Sequence, residues 1–303
     1  MARPLRIQIP GALYYITAKG NDSKTIFTDH QDRISFLNIL SRRIKRFDWI
    51  CHSYVLMDNH YHLLVETPKS NLSRGMMQLN SMYTQNFNRR QHREGHLFQG
   101  RYRSILVEKE LFLLDLSQYM MLNPVRAGLV ETPGEWAWSS YNATIGTIPK
   151  PDFLYTDWIL AQMGKKNANA AAAYKQFVLA GYGIDFPSEG LVANTILGTV
   201  RFLKEIHGYL CENKINNTKE IPRAQRFSTR PELEEIFQTG ISAGKTRNDV
   251  ITAAYCDYHY TMREIGDYLN LHYATISRAI KEHEKNRLMP SKKRKQLTPG
   301  ILS

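Results

Sequence analysis

The sequence predicts an α+β fold, in which an antiparallel sheet flanked by helices is followed by an all-α C-terminal region. Strand-like and helix-like stretches follow one another in the order β, α, β, β, α, β, α up to about residue 122. That order suits an antiparallel sheet with helices packed on it. Beyond residue 192 the apolar positions recur with helical spacing. At 303 residues the chain is long enough for two domains with separate cores.

Short sequence patterns predict an N-terminal arm, a first strand and a first helix. An extended arm with Arg3 and Arg6 precedes a β-branched and aromatic strand over residues 11–18. Thr28 or Asp29 can cap a helix that runs to about residue 47. The basic face of that helix, Arg42, Arg43, Lys45 and Arg46, is expected to be solvated.

A β-hairpin comes next, with an apolar strand over residues 49–57 and Asp58-Asn59 as its two-residue turn. A helix over residues 72–90, a strand over 104–108 and a helix over 109–121 complete the first domain. The proline at position 124 predicts that this last helix ends or bends around residue 122 or 123. Together these elements predict a first domain over residues 1–146.

The remainder divides into three predicted regions: a linker with an alanine-rich helical spacer at 147–192, a helical domain at 193–285 and a basic tail at 286–303. Thr261 to Glu264 form a capping box that opens a helix. A short turn and a further helix over 273–282 follow, which is the outline of a helix-turn-helix. On that last helix Thr275, Ser277 and Arg278 are candidate DNA contacts. An ordinary three-helix packing module stays open as the alternative.

The charge of the chain favours a polyanionic partner. The formal net charge is +12, and no apolar run approaches the roughly 20 residues that a membrane span requires. Nucleic acid is therefore the expected partner. The three cysteines form no C-x-x-C pair, and the N-terminus lacks the apolar core of a secretory signal. We expect a cytoplasmic, nucleoid-associated protein.

Four residues suggest chemistry. His60 and His62 share one face of a strand, so both can ligate one divalent ion, although most H-x-H triplets are accidental. Tyr119 and Asn123 lie four residues apart on one helix face. Tyrosine can act as a nucleophile, and asparagine offers a carbonyl oxygen to a hard cation. A half-buried core tyrosine and a helix-terminal asparagine are the plainer interpretations.

Four ordered blocks resemble one family, the REP-associated tyrosine transposases, which are relatives of the single-tyrosine HUH transposases of small insertion sequences. The blocks are residues 1–15, residues 58–62 with the H-x-H triplet, the Phe-Gln-Gly-Arg-Tyr stretch at 98–102 and the tyrosine-helix signature at 119–130. Together they span roughly residues 1 to 145. The C-terminal helices resemble, more faintly, the helix-turn-helix of bacterial replication initiators, of whose signature only Thr275 and the apolar residue after it match.

The resemblance implies a ferredoxin-like HUH nuclease fold and a metal-dependent, single-tyrosine DNA endonuclease and strand transferase. His60, His62 and Asn123 would bind Mg²⁺ or Mn²⁺, and Tyr119 would form a 5′-phosphotyrosine intermediate with single-stranded or hairpin DNA. Such hairpins come from repetitive extragenic palindromes. The arm arginines would read the foot of the hairpin.

Four further expectations follow from the resemblance or remain open beside it. Arg101 and Arg103 would contact the DNA backbone. A non-catalytic, domesticated DNA-binding regulator of palindromic hairpins is the alternative function. Rolling-circle initiation or relaxase activity would share the chemistry. The sequence leaves open whether the protein is a monomer or a homodimer.

Overall fold

The computed structural model describes residues 7–164, 168–212, 230–258 and 260–288. These residues fall into two compact units, of which the first extends to residue 203 and the second contains the described residues from 204 onward. The predicted arm contacts Arg3 and Arg6 lie outside the described residues, as does the basic tail from residue 289.

The first unit is built on a sheet with six strands among the described residues, in the spatial order β2-β3-β1-β4-β6-β5. The strands are β1 (Ala12–Lys19), β2 (Ile50–Leu56), β3 (His60–Thr67), β4 (Arg103–Val107), β5 (Leu191–Val192) and β6 (Ile196–Leu197). Neighbouring strands are antiparallel except β4 and β6, which run parallel. The predicted antiparallel sheet is therefore confirmed for β1 to β4.

Helices cover both faces of this sheet. They are α1 (His30–Phe47), α2 (Leu72–Arg90), α3 (Lys109–Met121), α4 (Asn123–Arg126), α5 (Tyr141–Thr144), α6 (Asp157–Gln162) and α7 (Ala168–Ala180). On one face, Phe36 of α1 packs against Tyr61 of β3 and Tyr83 of α2. On the other face, α3 packs on β1, and α7 packs on α3 within the same buried cluster, which includes the odd-numbered β1 residues Leu13 and Tyr15. The predicted order β, α, β, β, α, β, α and the α+β class are confirmed.

The stretch 147–192, expected as a linker, contributes to the core of the first unit. Tyr174 and Val178 are fully buried, and the Tyr174 hydroxyl is 2.6 Å from Ser117 Oγ of α3. These two residues are four apart, so they form a buried stripe on a helix whose alanines suggested a spacer. The β5–β6 hairpin joins the sheet through the amide of Leu106, which donates to the carbonyl of Thr195.

The described C-terminal region is helical, as predicted. Its helices are α8 (Val200–Glu212), α9 (Leu233–Ser242), α10 (Arg247–Cys256), α11 (Met262–Leu269) and α12 (Tyr273–Leu288). Thr246 and Thr261 each form a capping box, with Asp249 and Glu264 respectively. Asn270 ends α11 in the left-handed conformation (φ 53°), and α12 continues beyond the predicted end at residue 282.

Candidate active site

The register of the central strands puts polar side chains on one face of the sheet. Thr17 of β1 is paired with His62 of β3 on one side and with Arg103 of β4 on the other. One step along, Lys19 is paired with His60. Because side chains two residues apart share a face, these groups all project on the side on which α3 packs.

A cavity of about 580 Å³ opens at this end of the sheet. Its volume lies within the range of small-molecule sites. The lining combines the two histidines with three cations and with aromatic, amide and aliphatic groups, and its main members are Tyr15, Lys19, Asn59, His60, His62, Arg101, Arg103, Phe186, Leu191 and Asn194. Phe186 and Leu191 come from the stretch 147–192, which was expected to be a linker, and Asn194 comes from the start of the region 193–285, which was expected to be helical.

His60 forms a hydrogen bond with a residue of the turn that precedes it. Its Nδ1 is 2.6 Å from Asn59 Oδ1. Burial lowers the pKa of His60, and the nearby Lys19 lowers it further. The ring is therefore neutral near pH 7, which is the form that binds a metal ion. Its centroid is 4.8 Å from that of His62, close enough for one ion to contact both rings.

His62 is more deeply buried. Burial lowers its pKa to about 3, and the neighbouring His60 contributes to the shift. Its Nδ1 is 2.6 Å from the hydroxyl of Tyr15, whose own pKa is raised well above its usual value by burial. Its Nε2 is buried and has no hydrogen-bond partner. An unpaired buried polar atom of this kind costs about 1–3 kcal/mol, and a ligand that fills its lone pair removes that cost.

The two histidines fit a divalent cation in number of donors and in charge state. Two neutral imidazoles leave most of the coordination sphere open. Among the described residues no third histidine, cysteine or carboxylate completes a cluster around them. A further protein ligand would thus be an amide or hydroxyl oxygen. Such a neutral donor set leaves the charge of the ion available to an anionic substrate.

Tyr119 and Asn123 lie together on α3 and at the start of α4, and Arg126 contacts both. The guanidinium carbon of Arg126 is 4.4 Å from the centroid of the Tyr119 ring. Its Nη1 donates to the Tyr119 carbonyl at 2.8 Å and to Asn123 Oδ1 at 3.0 Å. The Nδ2 of Asn123 is buried without a partner. The carbonyl oxygen expected to bind metal therefore accepts a hydrogen bond from arginine here.

Phe186 contacts the residues on both sides of the site. Its ring centroid is 5.5 Å from that of Tyr15, which binds His62, and 5.3 Å from that of Tyr119. Neither Tyr119 nor Asn123 lines the cavity that contains the histidines. The structure thus brings His60 next to His62 and Tyr119 next to Asn123, with an aromatic side chain in contact with both groups.

The predicted DNA contacts divide by location. Arg101 and Arg103 are exposed and line the cavity. On α12, Thr275 and Arg278 are exposed and Ser277 is half-buried. Those three residues therefore present polar atoms to solvent on one helix of the second unit.

Sequence reasoning missed five residues of the site: Tyr15, Lys19, Asn59, Arg126 and Phe186. The alternation of β1 could have indicated Tyr15 and Lys19, because they follow the same period as the histidines. Asn59 lay in the predicted turn and in the resemblance block at 58–62, and Arg126 lay within the tyrosine-helix block, but neither had been given a role at the site. Phe186 had no local signal, since a linker was expected there.

Comparisons with known proteins find a matching family model and a similar protein. Residues 12–122 match the family model described as "Transposase IS200 like". A Haemophilus influenzae protein described as a REP-associated tyrosine transposase is 24% identical over 160 residues, which are 49% of this chain and 88% of that protein. The resemblance to the tyrosine transposases is thereby confirmed, and the family model locates it at residues 12–122.

Two solved structures are similar to this chain, at lower sequence identity than the Haemophilus influenzae protein. One is a REP-associated tyrosine transposase bound to a REP hairpin, with a TM-score of 0.42 and 15% identity over 55% of this chain and 93% of the other. The other is the tRNA(His) guanylyltransferase of Saccharomyces cerevisiae, with a TM-score of 0.31 and 9% identity over 60% of this chain and 83% of the other. Within the described residues, no helix is both long and apolar enough to cross a bilayer.

Proposed function

We propose that this chain, whose residues 12–122 match the IS200-like transposases, is a metal-dependent single-tyrosine DNA endonuclease and strand transferase. Its substrate would be single-stranded or hairpin DNA. The observation that supports this most is the pair of neutral imidazoles beside a basic cavity, with the buried Nε2 of His62 unpaired. A ligand in the cavity would supply the partner that this buried nitrogen lacks.

His60 and His62 would hold Mg²⁺ or Mn²⁺, and Asn123 is the candidate for the third ligand. When bound, the ion would supply Lewis-acid polarisation of the scissile phosphate. Asn123 Oδ1 accepts one hydrogen bond from Arg126, and its second lone pair would be the one to bind the ion. Lys19, Arg101 and Arg103 would bind phosphates on either side of the scissile one.

Tyr119 is the proposed nucleophile. Its phenolic oxygen would lose its proton and form a bond to phosphorus. The bond between phosphorus and the 3′ oxygen would break, and the 3′ oxygen would take up a proton and leave as a hydroxyl. The number of phosphodiester bonds is conserved, so a 3′ hydroxyl can attack the 5′-phosphotyrosine and rejoin the strands without ATP. The guanidinium of Arg126 over the Tyr119 ring would stabilise negative charge on the attacking oxygen.

A hairpin substrate is proposed from the relatives, one of which is a REP-associated transposase. The exposed Thr275 and Arg278 of α12, with Ser277, would add a second DNA contact. The proposal is supported by the position of α12 directly after a turn at Asn270, which is where a helix-turn-helix carries its recognition helix.

The test uses a labelled hairpin oligonucleotide with Mn²⁺ and detects a covalent protein–DNA adduct on a denaturing gel. We expect wild type to form the adduct, and Tyr119→Phe to form none because it lacks the attacking oxygen. Tyr174→Phe is the matched control, since it removes a buried hydroxyl that does not line the cavity of the histidines. An adduct in Tyr119→Phe, or none in wild type, would refute the proposed chemistry.

A non-catalytic regulator that binds palindromic hairpins is the second candidate. It is favoured by the observation that neither Tyr119 nor Asn123 lines the cavity that contains the histidines. This function predicts hairpin binding that is indifferent to Mn²⁺ and never covalent. Filter binding with and without EDTA distinguishes the two.

A further inference from the structure

The hydrogen bonds of Asn59 determine where the proton of His60 resides. Asn59 Nδ2 donates to the carbonyl of Ser23 at 3.2 Å, and Asn59 Oδ1 is 2.6 Å from His60 Nδ1. A carbonyl oxygen only accepts, so the amide nitrogen must face Ser23 and the amide oxygen must face the imidazole. An amide oxygen cannot donate. The hydrogen on that bond therefore belongs to His60 Nδ1, and the neutral ring has its lone pair on Nε2.

The backbone around Asn59 is fixed from a second segment. The amide of Gly20 donates to the Asn59 carbonyl at 2.8 Å, and the amides of Ile26 and Phe27 donate to the Asp58 carbonyl at 2.8 and 3.1 Å. Arg33 forms an ion pair with the Asp58 carboxylate. The turn before β3 is thus held by main-chain hydrogen bonds that do not depend on the Asn59 side chain. Removing that side chain should leave the turn in place.

His62 has a different partner on its Nδ1. The Tyr15 hydroxyl at 2.6 Å can donate or accept, so it permits either tautomer of His62. If His62 Nδ1 carries the hydrogen, Tyr15 accepts it and the buried Nε2 has a free lone pair. Tyr15 therefore allows at His62 the tautomer that Asn59 requires at His60.

We propose that Asn59 is a positioning residue that holds His60 as the Nδ1–H tautomer and so presents its Nε2 lone pair to a divalent cation. This rests on the proposed function for the identity of the ligand, whereas the tautomer exists without it. In metal sites, the group that hydrogen-bonds the non-ligating nitrogen of a histidine sets its tautomer and ring orientation. Loss of that group typically weakens metal affinity 10- to 100-fold. Without Asn59 the proton is free to move to Nε2, where it blocks the lone pair.

The first experiment observes the tautomer directly. Metal-free full-length protein labelled with ¹⁵N-histidine is examined at pH 8 by long-range ¹H–¹⁵N correlation, with the His60 signals assigned from His60→Gln. We expect a protonated Nδ1 and an unprotonated Nε2 in wild type, loss of that pattern in Asn59→Ala, and its return in Asn59→Asp, which restores an acceptor oxygen. Asn142→Ala is the matched control, since it also removes an amide that donates to a distant carbonyl, that of Gly134.

The second experiment measures Mn²⁺ affinity by electron paramagnetic resonance of the free ion. We expect Asn59→Ala to bind Mn²⁺ about 10- to 100-fold more weakly, and Asn59→Asp and Asn142→Ala to bind within a few-fold of wild type. A proton on Nε2 in wild type, or an unchanged tautomer in Asn59→Ala, would overturn the proposal. Failure of wild type to bind Mn²⁺ would instead count against the proposed function, because the metal-free spectra decide the tautomer alone.

Discussion

At the scale of single residues, the candidate site depends on groups that are buried in their neutral forms. Burial lowers the pKa of both histidines and raises that of Tyr15, which contacts one of them. Neutral imidazoles are the form that binds metal ions, so the same burial that destabilises protonated histidine prepares the ligands. Because the folded protein disfavours protonation of these histidines, its free energy of unfolding should fall at acid pH.

His62 should make the first unit less stable as the pH falls from 6.5 to 5. Its pKa is about 3 when folded and about 6.5 when unfolded, so only the unfolded chain takes up this proton within that range. Stability from His62 is present above pH 6.5 and declines towards pH 3. The loss between pH 6.5 and 5 is up to about 2 kcal/mol. Denaturant unfolding at both pH values measures it.

His62→Gln cannot take up that proton, so it should lose less stability than wild type over the same range. His96→Gln, at an exposed loop position, is the control and should behave like wild type. Stopping at pH 5 avoids most carboxylate titration, including that of Glu66, whose pKa is lowered to about 2 by hydrogen bonds from His52 and Lys109. An equal loss in His62→Gln and wild type would contradict this assignment.

The scale of single residues also shows where sequence patterns mislead. The basic face of α1 was expected to be solvated, yet Arg43 is buried and donates to Gln78 Oε1 at 2.6 Å. A helical pattern reports which residues share a face, and it cannot report which second helix will cover that face. The His60 and His62 pair could be recognised because a strand fixes its geometry within three residues.

At the scale of elements, most of the first unit could be predicted because its signals are local. Asp29 caps α1 as one of the two predicted residues, and its side chain accepts from the Asp32 amide at 3.0 Å. The helix over residues 72–90 has the predicted bounds. The packing of α7 and the parallel pairing of β6 could not be predicted, because both depend on contacts with elements more than 50 residues away.

Gly75 in α2 should be required for packing, although glycine normally weakens a helix. A Cβ atom at this position would overlap the indole ring of Trp49, which is buried and whose Nε1 donates to Asn71 Oδ1 at 2.7 Å. The helix propensity gained by alanine is about 1 kcal/mol, whereas overpacking costs about 1–3 kcal/mol. We expect Gly75→Ala to lower the melting temperature of the first unit.

Gly208 in α8 provides the matched control, since a Cβ atom at this position would meet no described atom within 4 Å. Gly208→Ala should stabilise its helix by up to about 1 kcal/mol. Differential scanning calorimetry of both variants measures the two effects. Stabilisation by Gly75→Ala would show that Trp49 can move at little cost, and would contradict the proposed role of that contact.

At the scale of the whole molecule, two compact units share a formal charge of +12. The first has a basic cavity beside the histidine pair, and the second exposes Thr275 and Arg278 on a helix of its own. These features predict separable roles, in which the first unit performs the chemistry and the second contributes affinity for DNA. Separate roles require that changes in the second unit alter binding without altering the reaction of bound DNA.

The combined variant Thr275→Ala, Ser277→Ala, Arg278→Ala should therefore weaken hairpin binding while adduct formation at saturating DNA stays at the wild-type rate. If Arg278 contacts a phosphate, the slope of log K against log salt should fall by about 0.7–0.9, because one fewer counterion is released. Fluorescence anisotropy across a salt series measures both quantities. Arg263→Ala, which removes an exposed arginine of α11 paired only weakly with Asp267 at 3.9 Å, is the control for loss of charge alone. An equal change of slope in both variants would mean that the second unit contributes only general charge, and a slower reaction of saturated complexes would mean that it takes part in the chemistry.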